Sequence, residues 1–298
     1  MKKFRHKIEN IAIAILLFVI RILPYRCAVG LGGIIGGLIW RLGIRRKVSR
    51  FNLELCLPEI TGKDADRLLA ESYRNFCRSM VEFALLPKLK GKTLDYVEFD
   101  GLEQAIESAK SGTGMLLVTG HFGSWEFLGA ALREAGLPLD FLVGEQTNRA
   151  VDSLINGIRE SMGIGIIHMG VAARGVIKSI RSGRAVAMLS DQDAGKSPII
   201  VRFFGHPAAT PGGIGAFALK LKCPIVVGGI VREGKSTKHK VFVEFLEPDY
   251  DSLPSGKGDA IRQITQLYTD RIEYYVREYP QMYFWAHRRF KSTVKYPA

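Results

Sequence analysis

Two side chains in GHFGSWEFLG, Gly120 to Gly129, are of the types that move protons: His121 and Glu126. An imidazole takes a proton from a hydroxyl at neutral pH, and a carboxylate beside it fixes the tautomer and stabilises the imidazolium. Five positions along an ideal helix amount to roughly 140° of rotation, which points two side chains apart, so His121 must sit outside the helix. The flanking residues supply the geometry. MLLVTG reads as a strand ending at Gly120, and SWEFLGAALREAG as a helix capped by Ser124 with Glu126 in its first turn. The glycines at 120 and 123 relax the backbone between them. His121 then lies on a loop at the C-terminal edge of a strand, where open α/β sheets bind ligands, and can fold back onto Glu126. The same spacing also suits a packed polar histidine and a first-turn carboxylate favoured by the helix dipole.

Other chemistries fit the stretch less well. GSW is not a G-x-S-x-G elbow, H-x-x-x-x-E lacks the second histidine of a zincin helix, and no cysteine stands near. LSDQDAG follows the strand-like AVAM, so Asp191 and Gln192 reach the same sheet edge, to bind substrate or position the His loop, unless they form a plain Asp-rich turn. Asp191 and Asp193 alone do not make a magnesium site, and no metal is expected. Arg149, opening a helix in TNRA, and Arg174, in AARG, are candidates for binding the phosphates or sugar acids of a ligand, because a guanidinium grips phosphate through two bonds and stays charged. FFGHPAATPGG is read as aromatic surface and a turn into the helix IGAFALKLK, with His206 a loop residue. WAHRRFK sets His287, Arg288 and Arg289 beside aromatics but lacks the strand-spaced stacking rings of an RNA-binding module.

Segments around these motifs alternate between strand-like and helix-like character from LDYVEFD to HKVFVEFLE, which predicts an α/β domain with a largely parallel central sheet flanked by helices. Residues 49–89 read as a helical lead-in broken at Pro58 and Gly62, and a long helix is expected from about Ala260 to Glu278. No internal repeat or interior linker is visible. The chain divides into an N-terminal membrane-associating segment, 1–47, and a catalytic domain, 48–298.

With 42 Lys+Arg against 29 Asp+Glu, the 298-residue chain carries a net charge of +13, which calls for an anionic partner: nucleic acid, anionic lipid or an acidic protein. The N-terminus chooses among them. A basic cluster leads into an apolar run from Ile11 to Ile20 that meets Arg21 well short of the roughly 20 residues needed to span a bilayer. CAVGLGGIIGGLIW follows, closed by Arg41, Arg45, Arg46 and Lys47. Two short apolar segments bracketed by basic residues suit a helical anchor held against lipid headgroups, and no small-x-small site marks a cleaved signal. The alternative is a buried helix pair. Cys27, Cys56, Cys77 and Cys223 are scattered and form no C-x-x-C pair, so reduced, mostly buried thiols are expected.

GHFGSWE at a strand end, then LSDQDAG, FFGHPAATPGGIGAFALKLKCPIV and MYFWAHRRFKS, in that order, resemble the bacterial lipid A late acyltransferases, the lauroyl/myristoyl transferase family. That family is similar to the wider glycerolipid acyltransferases in its H-x4-D/E motif, and the likeness runs over nearly the whole chain. It implies a glycerol-3-phosphate acyltransferase-like fold on a bacterial inner membrane, facing the cytoplasm. The implied reaction carries a fatty acyl chain from an acyl carrier protein or coenzyme A thioester to a hydroxyl of an anionic glycolipid, a lipid A precursor. His121 would be the base and Glu126 its orienting partner, with no cofactor and no enzyme nucleophile. The same chemistry on a phosphatidylinositol mannoside or lysophospholipid is the nearest alternative, and a basic, non-catalytic membrane-binding protein the more distant one.

Overall fold

Hydrophobic residues in unbroken runs make the centre of the sheet. Met115–Thr119 and Ala185–Leu189 are buried on both faces over almost their whole length, as interior parallel strands require. The computed structural model describes residues 2–195 and 197–297, with the side chains of residues 2–9, 11, 12 and 171 outside the described set; the basic cluster at the head of the chain falls among these.

Four helices come first: α1 (Lys2–Ile22), α2 (Tyr25–Arg41), α3 (Arg46–Cys56) and α4 (Gly62–Leu89). The α/β body follows with β1 (Val97–Asp100), α5 (Leu102–Lys110), β2 (Met115–Thr119), α6 (Trp125–Glu134), β3 (Leu139–Val143), α7 (Arg149–Ser161), β4 (Gly165–His168), α8 (Ala172–Arg181) and β5 (Ala185–Leu189). The chain ends with β6 (Ile199–Phe203), β7 (His206–Thr210), α9 (Gly213–Leu221), β8 (Ile225–Arg232), β9 (His239–Leu246) and α10 (Lys257–Glu278). Seven strands form one sheet in the order β1-β9-β8-β2-β5-β3-β4. β8, β2, β5, β3 and β4 are parallel, while β9 turns back antiparallel to β8 and carries β1 parallel to itself. The period-2 alternation of the strands splits the core in two. Leu116, Val118, Val186, Met188 and Val227 meet α8, α9 and α10 on one face. Met115, Leu117, Ala185, Ala187 and Val226 meet α5, α6 and α7 on the other.

One segment departs from expectation. FFGHPAATPGG, read as a loop with aromatic surface, contributes to an antiparallel hairpin in which Ile199–Phe203 pair with His206–Thr210. Phe204 and Gly205 close it with φ of 52° and 75°, the left-handed pair of a type I′ turn, although Phe is an unusual residue for the first position. Phe203 and Phe204 are buried core residues, not surface, and His206 is in a strand with Nε2 against the Leu55 carbonyl.

The N-terminal helices pack through glycine. Gly32 and Gly36 of α2 face the backbone of α4 so closely that a Cβ at Gly36 would lie 2.3 Å from the Tyr73 carbonyl oxygen. Away from that contact, α1 exposes Ile15, Leu16, Phe18, Val19 and Ile22, and α2 exposes Ile34 and Leu38. Among the described residues no single helix is long and apolar enough to cross a membrane, and α2 with α3, which would suffice together, are bent by 91°. Of the four free thiols, Cys56 and Cys223 are buried, Cys77 is half-buried and Cys27 is exposed.

Candidate active site

Sheet register assembles the site. Thr119 of β2 is paired with Leu189 of β5, so the residues two positions beyond each, His121 and Asp191, leave the same edge side by side. The Ser190 amide donates to the Thr119 carbonyl at 3.1 Å and carries the pairing one step past the strands. Asp191 then holds His121 twice: its Oδ2 accepts from the His121 backbone N–H at 2.9 Å, and its Oδ1 lies 2.8 Å from Nδ1. Gly120 leaves the room this needs, since a Cβ there would stand 3.1 Å from the Asp191 carboxyl carbon. The loop is also stitched from behind. Phe284 N–H donates to the His121 carbonyl at 3.1 Å and Gly123 N–H to the Met282 carbonyl at 2.9 Å, while the Ser79 hydroxyl of α4 donates to the Gly123 carbonyl at 3.1 Å. Gly123 takes φ +57°, and a Cβ there would collide with the Ile230 carbonyl.

This geometry fixes the proton on His121. An ionised Asp191 only accepts, so Nδ1 carries the hydrogen and Nε2 is left with its lone pair outward, where the Gln192 side-chain amide lies 3.2 Å away as donor. Burial by itself pulls the imidazole pKa down, but the charge and hydrogen bond of Asp191, with the Glu126 charge behind them, outweigh it and raise His121 above its ordinary value. For Asp191 burial pushes upward, and the His121 charge, its two hydrogen bonds and Arg289 bring the carboxyl below the usual range. The result is a pre-oriented imidazole whose conjugate acid is stabilised, an arrangement suited to general-base chemistry on a hydroxyl.

Glu126 occupies a different position from the one its spacing suggested. It is buried in the first turn of α6, and Arg159 of α7 grips it bidentately, Nε to Oε2 at 3.0 Å and Nη2 to Oε1 at 2.5 Å. No hydrogen bond joins Glu126 to His121 among the described residues; the place beside Nδ1 belongs to Asp191. Helix geometry explains the exchange, because the first turn of α6 points Glu126 back across the sheet toward α7 while the loop turns His121 toward β5. Ser124 stands at the N-cap of α6, but its side chain makes no capping bond and its Oγ is buried without a partner, so the first amides of the helix are uncapped by the side chain expected to satisfy them. Arg149 and Arg174 are both exposed and neither forms an ion pair with a site residue. Asp193 faces the C-terminal segment, accepting from Ser292 Oγ at 2.7 Å and Ser292 N at 2.8 Å.

Aromatic rings enclose the imidazole. Trp125 meets it edge-on at 5.0 Å between centroids, and Phe284, stacked on Phe76 of α4, lies at 6.5 Å. A small apolar cavity of about 40 Å³ lies beside it, walled by Trp125, Leu117, Phe141, Leu142, Ala187 and Leu189, with Glu126 and Arg159 as its charged members. His287 approaches from the C-terminal segment, its Nε2 accepting from the Asp193 amide at 3.3 Å. Burial holds its pKa below the ordinary value, and the nearby His121, Arg289 and Arg45 charges act in the same direction against Asp191.

The sequence, set against known families, matches the model of the bacterial lipid A biosynthesis acyltransferases over residues 1–292. The chain belongs to that family. It is an acyltransferase, as are its named relatives. It is 24% identical over 276 residues to the lipid A biosynthesis palmitoleoyltransferase of Escherichia coli K12, covering 91% of this chain and 87% of that one. The lauroyltransferase of the same organism is 25% identical over 296 residues, 97% of this chain and 92% of its own. A phosphatidylinositol mannoside acyltransferase of Mycolicibacterium smegmatis is 23% identical over 236 residues, 75% and 74% of the two chains.

Within this acyltransferase the residue that sequence reasoning missed is Arg159. A signal was present: Arg159 falls beside Ile155, Ile158 and Met162 in the apolar stripe of its helix, where a guanidinium needs a buried partner. Arg149 and Arg174 drew attention only through helix position, and the fold leaves both at the surface.

Proposed function

We propose that this enzyme transfers a fatty acyl chain from an acyl carrier protein or coenzyme A thioester directly to a hydroxyl of a lipid A precursor, with His121 as base and Asp191 as the residue that orients it. Nε2 takes the hydroxyl proton as the oxygen attacks the thioester carbonyl. The new C–O bond forms, the C–S bond breaks, and the imidazolium returns its proton to the departing thiolate. The uncapped amides at the start of α6 are donors for the oxyanion. The apolar cavity beside His121 widens to receive the acyl chain, and Gln192, now on Nε2, gives way to the acceptor hydroxyl. Glu126 acts through Arg159 to fix α6 and the wall of that cavity. The observation that carries this reading is the doubly bonded His121–Asp191 pair at the C-terminal edge of the sheet.

The exposed apolar faces of α1 and α2, with a net charge of +13, support attachment of residues 1–47 to the cytoplasmic face of an inner membrane. The relative that acts on phosphatidylinositol mannoside supports that class as a second acceptor reading. Detergent-purified enzyme, given acyl carrier protein and coenzyme A thioesters of several chain lengths with a tetra-acylated lipid A precursor, should raise the precursor's mass by one acyl chain. His121→Ala should abolish the gain. A gain only with a mannosylated phospholipid would move the acceptor to the second reading, and an acyl group trapped on an enzyme side chain would refute direct transfer.

A further inference from the structure

The second pair of glycines in α2 does something other than admit α4. Gly32 and Gly36 meet α4 backbone, but Gly33 and Gly37 lie against side chains: a Cβ would stand 2.8 Å from Arg78 Nε at Gly33 and 3.3 Å from Arg74 Nε at Gly37. Larger residues would displace both guanidiniums. With the glycines in place, Arg74 and Arg78 lie along α2 and line a groove of about 560 Å³ that Arg41 and Lys235 complete. Glu71 is the one carboxylate among its lining residues. It binds Arg78 Nη1 at 2.5 Å and Arg74 Nη1 at 3.2 Å, which leaves the other nitrogens of both guanidiniums without a hydrogen bond among the described residues. Arg41 and Lys235 have no ion pair among the described residues either. Four cations against one carboxylate form an anion site.

Its surroundings identify the anion. Ile34 and Leu38, 71% and 54% exposed, line the same groove, and α1 exposes apolar side chains of its own. A ligand that fills the groove therefore has a phosphate for the guanidinium forks and hydrocarbon for the apolar lip. None of the lining residues belongs to the cavity beside His121. We propose that the groove between α2 and α4 binds the phosphate headgroup of an anionic bilayer phospholipid, seating the enzyme at a fixed depth apart from its acyl acceptor. This rests on the reading that α1 and α2 lie on a membrane.

Vesicle co-sedimentation tests it, with phosphatidylcholine alone and phosphatidylcholine mixed with phosphatidylglycerol. Each cation at an anionic surface changes binding by about fivefold. Wild type should prefer the phosphatidylglycerol vesicles, and Arg41→Gln/Arg74→Gln/Lys235→Gln should lose roughly tenfold or more of that preference while keeping its turnover of detergent-solubilised acceptor. A control with equal charge change, Lys63→Gln/Lys110→Gln/Lys257→Gln, should lose less than about twofold, since those cations lie outside the groove. Equal loss in both triple variants would overturn the site in favour of diffuse charge. Unchanged vesicle binding with a raised KM for the acceptor would overturn it in favour of an acceptor subsite. Wild type that binds neither vesicle would remove the membrane reading itself, and the proposal with it, even if acyl transfer stands.

Discussion

The imidazole of His121 is held by a residue seventy positions away, not by the carboxylate five positions on. The two carboxylates therefore have separable roles. Asp191 sets the tautomer and proton affinity of the imidazole, whereas Glu126 neutralises Arg159 in the wall of the cavity. Removing Glu126 alone leaves a largely buried guanidinium uncompensated, and Glu126→Ala should destabilise the enzyme by about 3–5 kcal/mol in urea denaturation. Glu126→Leu/Arg159→Met should recover most of that loss, since an apolar pair of similar volume needs no charge compensation. If the single and double variants were equally unstable, the pair would not be what fixes α6 to α7. His121, Asp191 and Gln192 were all legible as residues of interest because they follow strand-like runs. Their pairing was not, because it depends on which strands are neighbours and in what register, and spacing along one chain carries no record of that.

At the scale of elements, the small residues of α2 set how closely the N-terminal helices approach the body. Gly36→Ala places a methyl 2.3 Å from the Tyr73 carbonyl oxygen, so the helices must separate, at a cost of about 1–3 kcal/mol. Gly30→Ala meets nothing within 4 Å and should be neutral or slightly stabilising through the unfolded chain. Thermal unfolding of the two variants checks the contrast, and similar melting temperatures would contradict the packing described. The alternating strands and helices from β1 to β9 were legible through apolar runs and turn residues, as were the breaks at Pro58 and Gly62. The β6–β7 hairpin was obscured by a Phe-Gly turn in place of the usual Asn-Gly, and by Pro207, which reads as a breaker although both strands of a two-stranded ribbon are edge strands, where proline is tolerated.

Across the whole molecule, charge and apolar surface are arranged around one sheet edge. The loops after β2 and β5 hold His121, the C-terminal segment braces it through Met282 and Phe284, and α4 links it to the helices that expose apolar side chains. Composition shows a strongly cationic chain and α1 and α2 expose apolar faces, but the size and shape of the cavity beside His121 come only from packing between β2, β5, β3 and α6. The central claim is that Asp191 tunes His121 as the proton acceptor for acyl transfer. Its most direct test is the pH dependence of kcat/KM for wild type, Asp191→Asn and Glu126→Gln. The base acts when neutral, so activity should fall as pH drops through a midpoint above the ordinary histidine value of about 6.5. Asp191→Asn removes the carboxylate that raises the midpoint and fixes the tautomer. It should move the acid limb to lower pH and cut the plateau by about 10²–10⁴-fold, with Glu126→Gln shifting the limb less. An Asp191→Asn profile that overlays wild type, or a larger displacement from Glu126→Gln, would contradict the account.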